Sequence, residues 1–363
     1  MRPGSGPAEG EGIQDALLGW QRVAGRHDLP WQHPRTPYRV WVSEVMLQQT
    51  RVETAIPYFE RFMERFPDAA TLAHSREDEV LALWSGLGYY RRARNLRAAA
   101  LRIVEHHGGE PPTSLEELKA LPGVGPSTAG AIRSLGHGLP APILDGNVKR
   151  ILARVFRIPG WPGRAPVERV LWEHASALVP TEEAARFNQA LMDLGASICT
   201  PSAPACTTCP IEAFCGARAD DAQVRYPEPR PGKVSRRVET TRMLVLHHSG
   251  SVLLVRRPPS GVWAGLWSLP EPEEGEAPEQ AAGRLGLRAT RLRAGETFVH
   301  RFSHFDLRIE PLHLRVDDVL ATLDDETRWH APGRDTAEVG IPAPIGRILR
   351  TVTATPTGGP EFA

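Results

Sequence analysis

Apolar residues recur at helical spacing over roughly the first 220 residues of the chain, then give way to strand-like runs. Ile13, Leu17, Leu18, Trp20 and Val23 predict a helix over 13–27. The Pro-punctuated LPWQHPRTPYR that follows predicts an extended link. A helix starts at about Val40, with Trp41, Val45 and Leu47 apolar and Ser43, Glu44, Gln48 and Gln49 polar. Further helices are expected at 53–66, 76–84, 91–106, 114–120, 166–179 and 182–197, separated by short turns carrying Pro, Gly or Ser. Residues 1–225 therefore read as one all-α domain.

The character changes after Asp220. YPEPRPGKVSRR has no apolar period, and 226–239 is expected to be a linker. Strand-like runs follow at Thr241–His247 and Ser251–Arg256 around a Ser249-Gly250 turn, then at Phe298–Phe302 and Phe305–Pro311. Helices are expected at 278–285 and 344–352. A second domain of mixed α+β type thus covers 240–352, and the tail 353–363 is expected to be disordered.

Composition changes this picture little. The 363 residues suffice for two domains, each with its own core, and a hydrophobic fraction of 41% is ordinary. No apolar run reaches the roughly 18 residues of a spanning helix. MRPGSGPAEGEG is polar and Gly-rich, unlike a secretion signal, so a cytoplasmic protein is expected. Formal net charge is zero, so any basic surface must be local. Arg91, Arg92, Arg94 and Arg97 fall together after Tyr89-Tyr90, although a solvated helix face explains such a run equally well.

Candidate chemistry begins at LPGVGPSTAGAIRSLGHGLPAPILDGNVKR, residues 121–150. Gly123 and Gly125 allow a tight turn with uncovered N–H groups. Ser127 and Thr128 then open a small-residue helix whose start suits a phosphate. The turn alone reads more simply as an αα-hairpin. Asp145, before Gly146 and a helix from Asn147 to Phe156, has the position of an N-cap, and beside a phosphate site it would be a fixed anion close to a sugar.

The four cysteines lie together as Cys199-x6-Cys206-x2-Cys209-x5-Cys215. Disulfides are not expected in a cytoplasmic chain. Four thiolates this close suit a metal centre. Only Cys206–Cys209 has the short knuckle spacing usual for zinc, and the wider loops fit a [4Fe–4S] cluster, with zinc the second reading.

Taken together, the LPGVG hairpin, LDGNVKR and the cysteine loop resemble the iron–sulfur DNA glycosylases of the endonuclease III, helix-hairpin-helix superfamily. Within it, WVSEVMLQQT (41–50), GLGYYRRARNL (86–96), FNQALMDLGASIC (187–199) and HRFSH (300–304) are similar to the adenine DNA glycosylases, the MutY family. The resemblance covers nearly the whole chain. It implies a six-helix barrel over about 28–140, an iron–sulfur helical domain from about 10–27 and 141–225, and one [4Fe–4S] cluster. It implies hydrolysis of the N-glycosidic bond of adenine mispaired with 8-oxoguanine (8-oxoG) or guanine, after the base is flipped out of double-stranded DNA. A monomer is expected, associated with the nucleoid when acting and not with a membrane.

The same resemblance assigns roles. Glu44 matches the general acid, and Val45, Met46 and Leu47 could raise its pKa as an apolar wall. Asp145 matches the carboxylate facing the oxocarbenium ion, and its helix-start position favours the ionised form. The two carboxyls are therefore expected to be displaced in opposite directions. Asn147 matches a residue near the sugar. Ser127 stands where strand-cutting relatives carry a nucleophilic lysine, which implies a monofunctional enzyme; Lys149 is the nearby lysine that could trap an abasic aldehyde. Gln48 and Tyr89 match residues that enter the duplex. Arg91, Arg92 and Arg94 are placed to meet phosphates. Gln32 and Gln189 fall where some relatives carry charged residues around the adenine.

The second domain resembles a Nudix fold over VLLVRRPPSGVWAGLWSLPEPE (252–273), but 275–290 lacks the acidic metal-binding helix of the nucleotide hydrolases. Phe302, Ser303 and His304 match the reader of 8-oxoG, and Arg301 stands where a small polar residue is usual. Two competing readings remain. One is a bifunctional glycosylase acting on oxidised pyrimidines, which Ser127 and the second domain oppose. The other is a non-catalytic iron–sulfur DNA sensor, which has no use for Glu44 paired with Asp145.

Overall fold

A computed structural model describes residues 7–232, 236–322, 324–333 and 339–353. The chain divides into two compact units, residues 1–74 with 95–232, and residues 75–94 with 233–363. Within residues 75–94, which the helical pattern assigns to the first domain, Ser85 and Tyr90 hydrogen-bond Ile341, and Arg94 hydrogen-bonds Ala264.

The helices before the second domain are α1 (Pro7–Ala24), α2 (Pro37–Leu47), α3 (Val52–Arg65), α4 (Ala69–Ala73), α5 (Glu77–Trp84), α6 (Arg91–His107), α7 (Leu115–Ala120), α8 (Pro126–Ala131), α9 (Gly146–Val155), α10 (Ala165–Leu178), α11 (Ala184–Ser197) and α12 (Gly216–Ala219). Helix α2 starts three residues before the first apolar signal because Thr36 caps it, its side chain accepting from Arg39 N at 3.2 Å, and Pro37 fits the first turn. Asp68 caps α4, a helix too short to show a period in the sequence. The main core of this unit lies where α1, α9, α10 and α11 meet around Leu17, Ile151, Leu171 and Phe187. Helix α11 comes so close to α9 that a Cβ at Gly195 would sit 2.5 Å from Asn147 Cβ.

The second unit holds one mixed sheet of β1 (Arg237–His248), β2 (Ser251–Arg256), β3 (Trp267–Ser268), β4 (Leu287–Ala294), β5 (Phe298–Arg301), β6 (Phe305–Val319) and β7 (Thr327–His330). The order is β3-β2-β1-β6-β4, with β5 paired to β6 and β7 to β2. Strands β1 and β6 run parallel, from Arg237 opposite Phe305 to His247 opposite Arg315. Met243 and Val245 face one core, against Ile345 and Ile348 of α14 (Ala343–Thr353). Leu244 and Leu246 face the other, against Ala281 and Ala282 of α13 (Pro278–Arg284). Both faces are covered, which is why the centre of β1 reads as a continuous apolar run instead of an alternation. Ser249 (φ 47°) and Gly250 (φ 79°) close the β1–β2 hairpin with positive φ at both central residues.

The expected linker is shorter than 226–239, because β1 reaches back to Arg237. Its polar first half is held by the ladder to Phe305–Glu310 rather than by burial. Strand β4 escaped notice because five of its eight residues are exposed in succession. Residues 354–363 of the expected tail lie outside those described. Among the described residues no helix is long and apolar enough to cross a membrane.

Candidate active site

Glu44, on the last turns of α2, lines a cavity of about 40 Å³ in the first unit, with Trp31, Gln32, Leu47, Gln189 and Met192 also in its wall. Val45 and Met46 behind it are buried. Desolvation pushes the Glu44 carboxyl up to about 8, and the negative charge of Asp145 adds to the rise. Glu44 therefore carries its proton at neutral pH. Asp145 does not line the cavity, but the two carboxyls are close enough for one charge to act on the other.

Asp145 is the N-cap of α9, its Oδ1 accepting from Val148 N at 2.7 Å. Burial raises its pKa, while the Val148 and Asn147 amides and the Arg150 guanidinium oppose the rise. The expectation of opposite displacements is thus corrected: both carboxyls move up, because both sit in the same water-poor region. The asymmetry lies in the partners. Helix amides and a guanidinium favour the anion at Asp145, whereas burial and a like charge both disfavour it at Glu44.

The hairpin lies between the two carboxyls in the sequence, just before Asp145. Ser114 caps α7. Gly123 takes φ +77°, and a Cβ there would meet Asn95 Cβ at 2.8 Å; Gly125 is the N-cap of α8 and has open space around it. A Cβ on Gly130 would lie 2.0 Å from Pro142 O, so α8 packs directly on the strip leading to Asp145. Ser127 Oγ accepts from Leu144 N at 3.2 Å and fixes that strip. Lys149 is ion-paired to Glu168 at 2.5 Å.

Sequence reasoning missed Asp193, which is buried and takes Arg26 N and Nε at 3.0 and 2.7 Å and Gln189 Nε2 at 2.9 Å. Gln32, also buried, donates to Arg26 O at 3.2 Å. The signal was available: an acidic residue four positions after Gln189 on an otherwise apolar helix face. Gln48 is the half-buried C-cap of α2, and Gln49 after it has φ +58°.

The four cysteines lie in the loop from the end of α11 to α12. Burial pushes the Cys209 thiol up to about 12, and Cys199, Cys215 and Cys206 each add to the rise. Among the described residues no three His, Cys, Asp or Glu side chains close around a single-ion site. Helix α9 reaches this loop with two arginines. Arg150 donates to Cys199 O at 2.7 Å and to Asn147 Oδ1 at 2.8 Å; the buried Arg154 donates to Cys199 Sγ at 3.2 Å and to four backbone carbonyls. A thiolate-bound group with cationic donors beside it fits this donor set.

The remaining predicted residues lie in the second unit. Tyr89 is 47% exposed at φ +50°, next to Gly88 at φ +73°. Arg91 is exposed. Arg92 is buried, with its guanidinium against the Trp84 and Tyr89 rings and donating to Gly88 O at 3.2 Å; Arg94 bonds Ala264 O. Of the three arginines expected at phosphates, Arg91 is exposed, Arg92 is buried against the Tyr89 turn, and the half-buried Arg94 is bound to the β2–β3 loop. Ser303 and His304 are exposed and joined at 3.3 Å, while Phe302 stacks on Phe305 at 4.5 Å.

Residues 42–177 match the HhH-GPD superfamily of base excision DNA repair proteins, and residues 241–351 match the NUDIX domain. The chain is 37% identical over 343 residues to an adenine DNA glycosylase of Buchnera aphidicola subsp. Acyrthosiphon pisum (strain APS), covering 92% of this chain and 95% of that one. It is 38% identical over 386 residues to an adenine DNA glycosylase of Homo sapiens, covering 89% and 70%. Among solved structures, a thermostable thymine-DNA glycosylase superposes with a TM-score of 0.52 at 26% identity, over 59% of this chain and 98% of that one.

Proposed function

The chain belongs to the adenine DNA glycosylases, base-excision-repair hydrolases of the HhH-GPD superfamily acting on N-glycosyl bonds, and on that premise we propose how its own residues carry the reaction. Glu44 is the general acid and Asp145 the anion beneath the sugar. One observation carries the assignment: a carboxyl displaced to about 8 in a small cavity, with a second carboxyl acting on it.

An extrahelical adenine enters that cavity, which must widen by movement of its lining side chains. Glu44 protonates N7, the C1′–N9 bond breaks with its electron pair going to the base, and Asp145 faces the positive sugar. Water adds to C1′ and its proton returns to the solvent. Asn147 supports Asp145 through its amides. Ser127 supports a monofunctional reading, since its hydroxyl anchors Leu144 and Lys149 is occupied by Glu168.

The DNA partner is a duplex carrying A:8-oxoG or A:G. Gly123, Gly125 and Ser127 at the hairpin offer backbone amides to a phosphate. Gln48 and Tyr89 enter the duplex, Arg91 meets the backbone, and Gln189 lines the base pocket. Phe302, Ser303 and His304 read the opposite base. Cys199, Cys206, Cys209 and Cys215 hold one [4Fe–4S] cluster, whose part when bound is to cross-link the loop that Arg150 and Arg154 join to α9.

The test is a single-turnover assay on A:8-oxoG duplex with Glu44→Gln. Duplex binding is retained and base release falls by at least about 100-fold, the scale of a lost general acid. A wild-type rate of base release in that variant would overturn the assignment of Glu44 as the general acid, whereas a wild-type protein that binds the duplex and releases no base would favour the non-catalytic sensor.

A further inference from the structure

Residues 75–94 are attached to the second unit along their whole length. Asp78 pairs with Arg256 at 3.2 Å, Ser85 Oγ accepts from Ile341 N at 3.1 Å, and Tyr90 Oη donates to Ile341 O at 3.1 Å. A Cβ on Gly340 would lie 2.6 Å from Leu81 Cβ, so backbone meets helix directly. The last tie is Arg94 Nη1, which donates to the carbonyl of Ala264. Gly265 admits it: that residue has φ +71°, and a Cβ there would approach Arg94 Nη1 to 2.9 Å.

Ala264 follows Trp263, whose backbone is left-handed at φ +54°. The Trp263 ring lies 5.7 Å from Phe302 and 6.0 Å from His300, and Phe302 in turn stacks on Phe305. A continuous path therefore runs from the Tyr89 turn through Arg94, Ala264 and Trp263 to Phe302 and the exposed Ser303 and His304. It consists of one charged hydrogen bond and one ring contact, both within the second unit.

We propose that Arg94 is a positioning residue for discrimination of the base opposite adenine: it locks the Tyr89 turn to the Trp263–Phe302 stack, so that duplex insertion and reading of the opposite base are carried by one body. The proposal rests on the roles given above to Tyr89 and to Phe302–His304. Arg94 itself touches neither base. Without its bond the direct link between the Trp263 loop and the Tyr89 turn is lost, and the contact to 8-oxoG registers less closely with insertion.

The experiment compares single-turnover base release from A:8-oxoG and A:G duplexes. Arg94→Met keeps the length of the side chain and removes the donor. It is expected to lower the A:8-oxoG over A:G rate ratio by about tenfold, the scale of one hydrogen bond from a charged donor. Arg94→Lys, which can still donate to Ala264 O, recovers most of the ratio. Ser303→Ala also lowers it, and in the double variant the two losses fail to add, because both act through one loop.

A wild-type ratio in Arg94→Met beside a lowered ratio in Ser303→Ala overturns the positioning role and leaves the reader intact. A wild-type ratio in Phe302→Ala, Ser303→Ala and His304→Ala overturns instead the reading of that loop. A fall of equal size on both duplexes that Lys does not restore means general destabilisation and also overturns the proposal. Should Arg94→Met fail to fold, Trp263→Leu breaks the same path from its other end and is judged by the same ratio.

Discussion

Replacing Glu44 by Gln is expected to stabilise the folded protein at alkaline pH while abolishing its chemistry. The Glu44 carboxyl titrates at about 8 in the folded chain against an ordinary 4.5. Between those values folding takes up a proton, so the contribution of Glu44 is fully present below about pH 4.5 and is lost as pH rises through 8. At 1.36 kcal/mol per pH unit the whole displacement corresponds to at most about 5 kcal/mol, and solvent reaching the half-buried carboxyl through the cavity reduces this to roughly 2–4. Glutamine has no such slope, and Asp145 is common to both proteins. Urea unfolding at pH 5 and pH 8.5 measures the difference, converted through the denaturant slope. The Gln variant should gain about 2–4 kcal/mol over wild type at the higher pH and little at the lower. An equal difference at both pH values, or a wild type that gains stability from pH 5 to 8, would refute a neutral, desolvated Glu44.

The same protonation sets the alkaline side of the activity profile: saturated base release falls towards tenfold per pH unit above about 8, because only protonated Glu44 can act, and it falls again on the acid side as Asp145 takes up a proton. A rate that climbs through pH 9 would remove it as the acid. Asp193→Asn replaces an acceptor of three hydrogen bonds with an amide and frees Arg26 and Gln189 in the pocket wall. Because Arg26 is partly exposed and Asn keeps one acceptor, the loss costs about 1–3 kcal/mol of stability, read by thermal unfolding, and slows base release more than it weakens duplex binding. Equal losses in both would show Asp193 to act on the fold alone.

How far the sequence carried depended on what each feature is made of. Helices α2, α6, α10 and α11 announce themselves by period, and the N-cap at Asp145 by its place before Gly146, because local patterns encode local structure. Strand β4 and the first half of β1 are held by ladder bonds to β6, and their exposed arginines carry no apolar signal. The bonds of Ser85, Tyr90 and Arg94 reach residues more than 150 positions away, which no window along the chain can reveal. The arginine run failed in the same way. Charge at 91–94 was plain, but which guanidinium faces solvent depends on Trp84 and Ala264. The types of the two carboxylates and the upward displacement of Glu44 were legible, but the upward displacement of Asp145 was not, since its burial is a property of the assembled pocket.

That burial explains why α9 is fixed so heavily. A carboxylate held in a water-poor site will turn towards solvent unless its backbone is prevented from moving. Before Asp145, Ser127 holds Leu144 and Gly130 lets α8 press on Pro142. Beside it, Gly195 brings α11 against Asn147. Behind it, Arg150 and Arg154 tie the far half of α9 to the cysteine loop. Each constraint uses a different element, so Asp145 can turn away only if several of them yield together. The Glu44 end needs less, because a neutral acid gains little by moving to water, and α2 holds it with Val45 and Met46 buried beside it. The unequal scaffolding follows from the unequal charge: the group that must stay ionised in a dry place is the one the fold surrounds with donors.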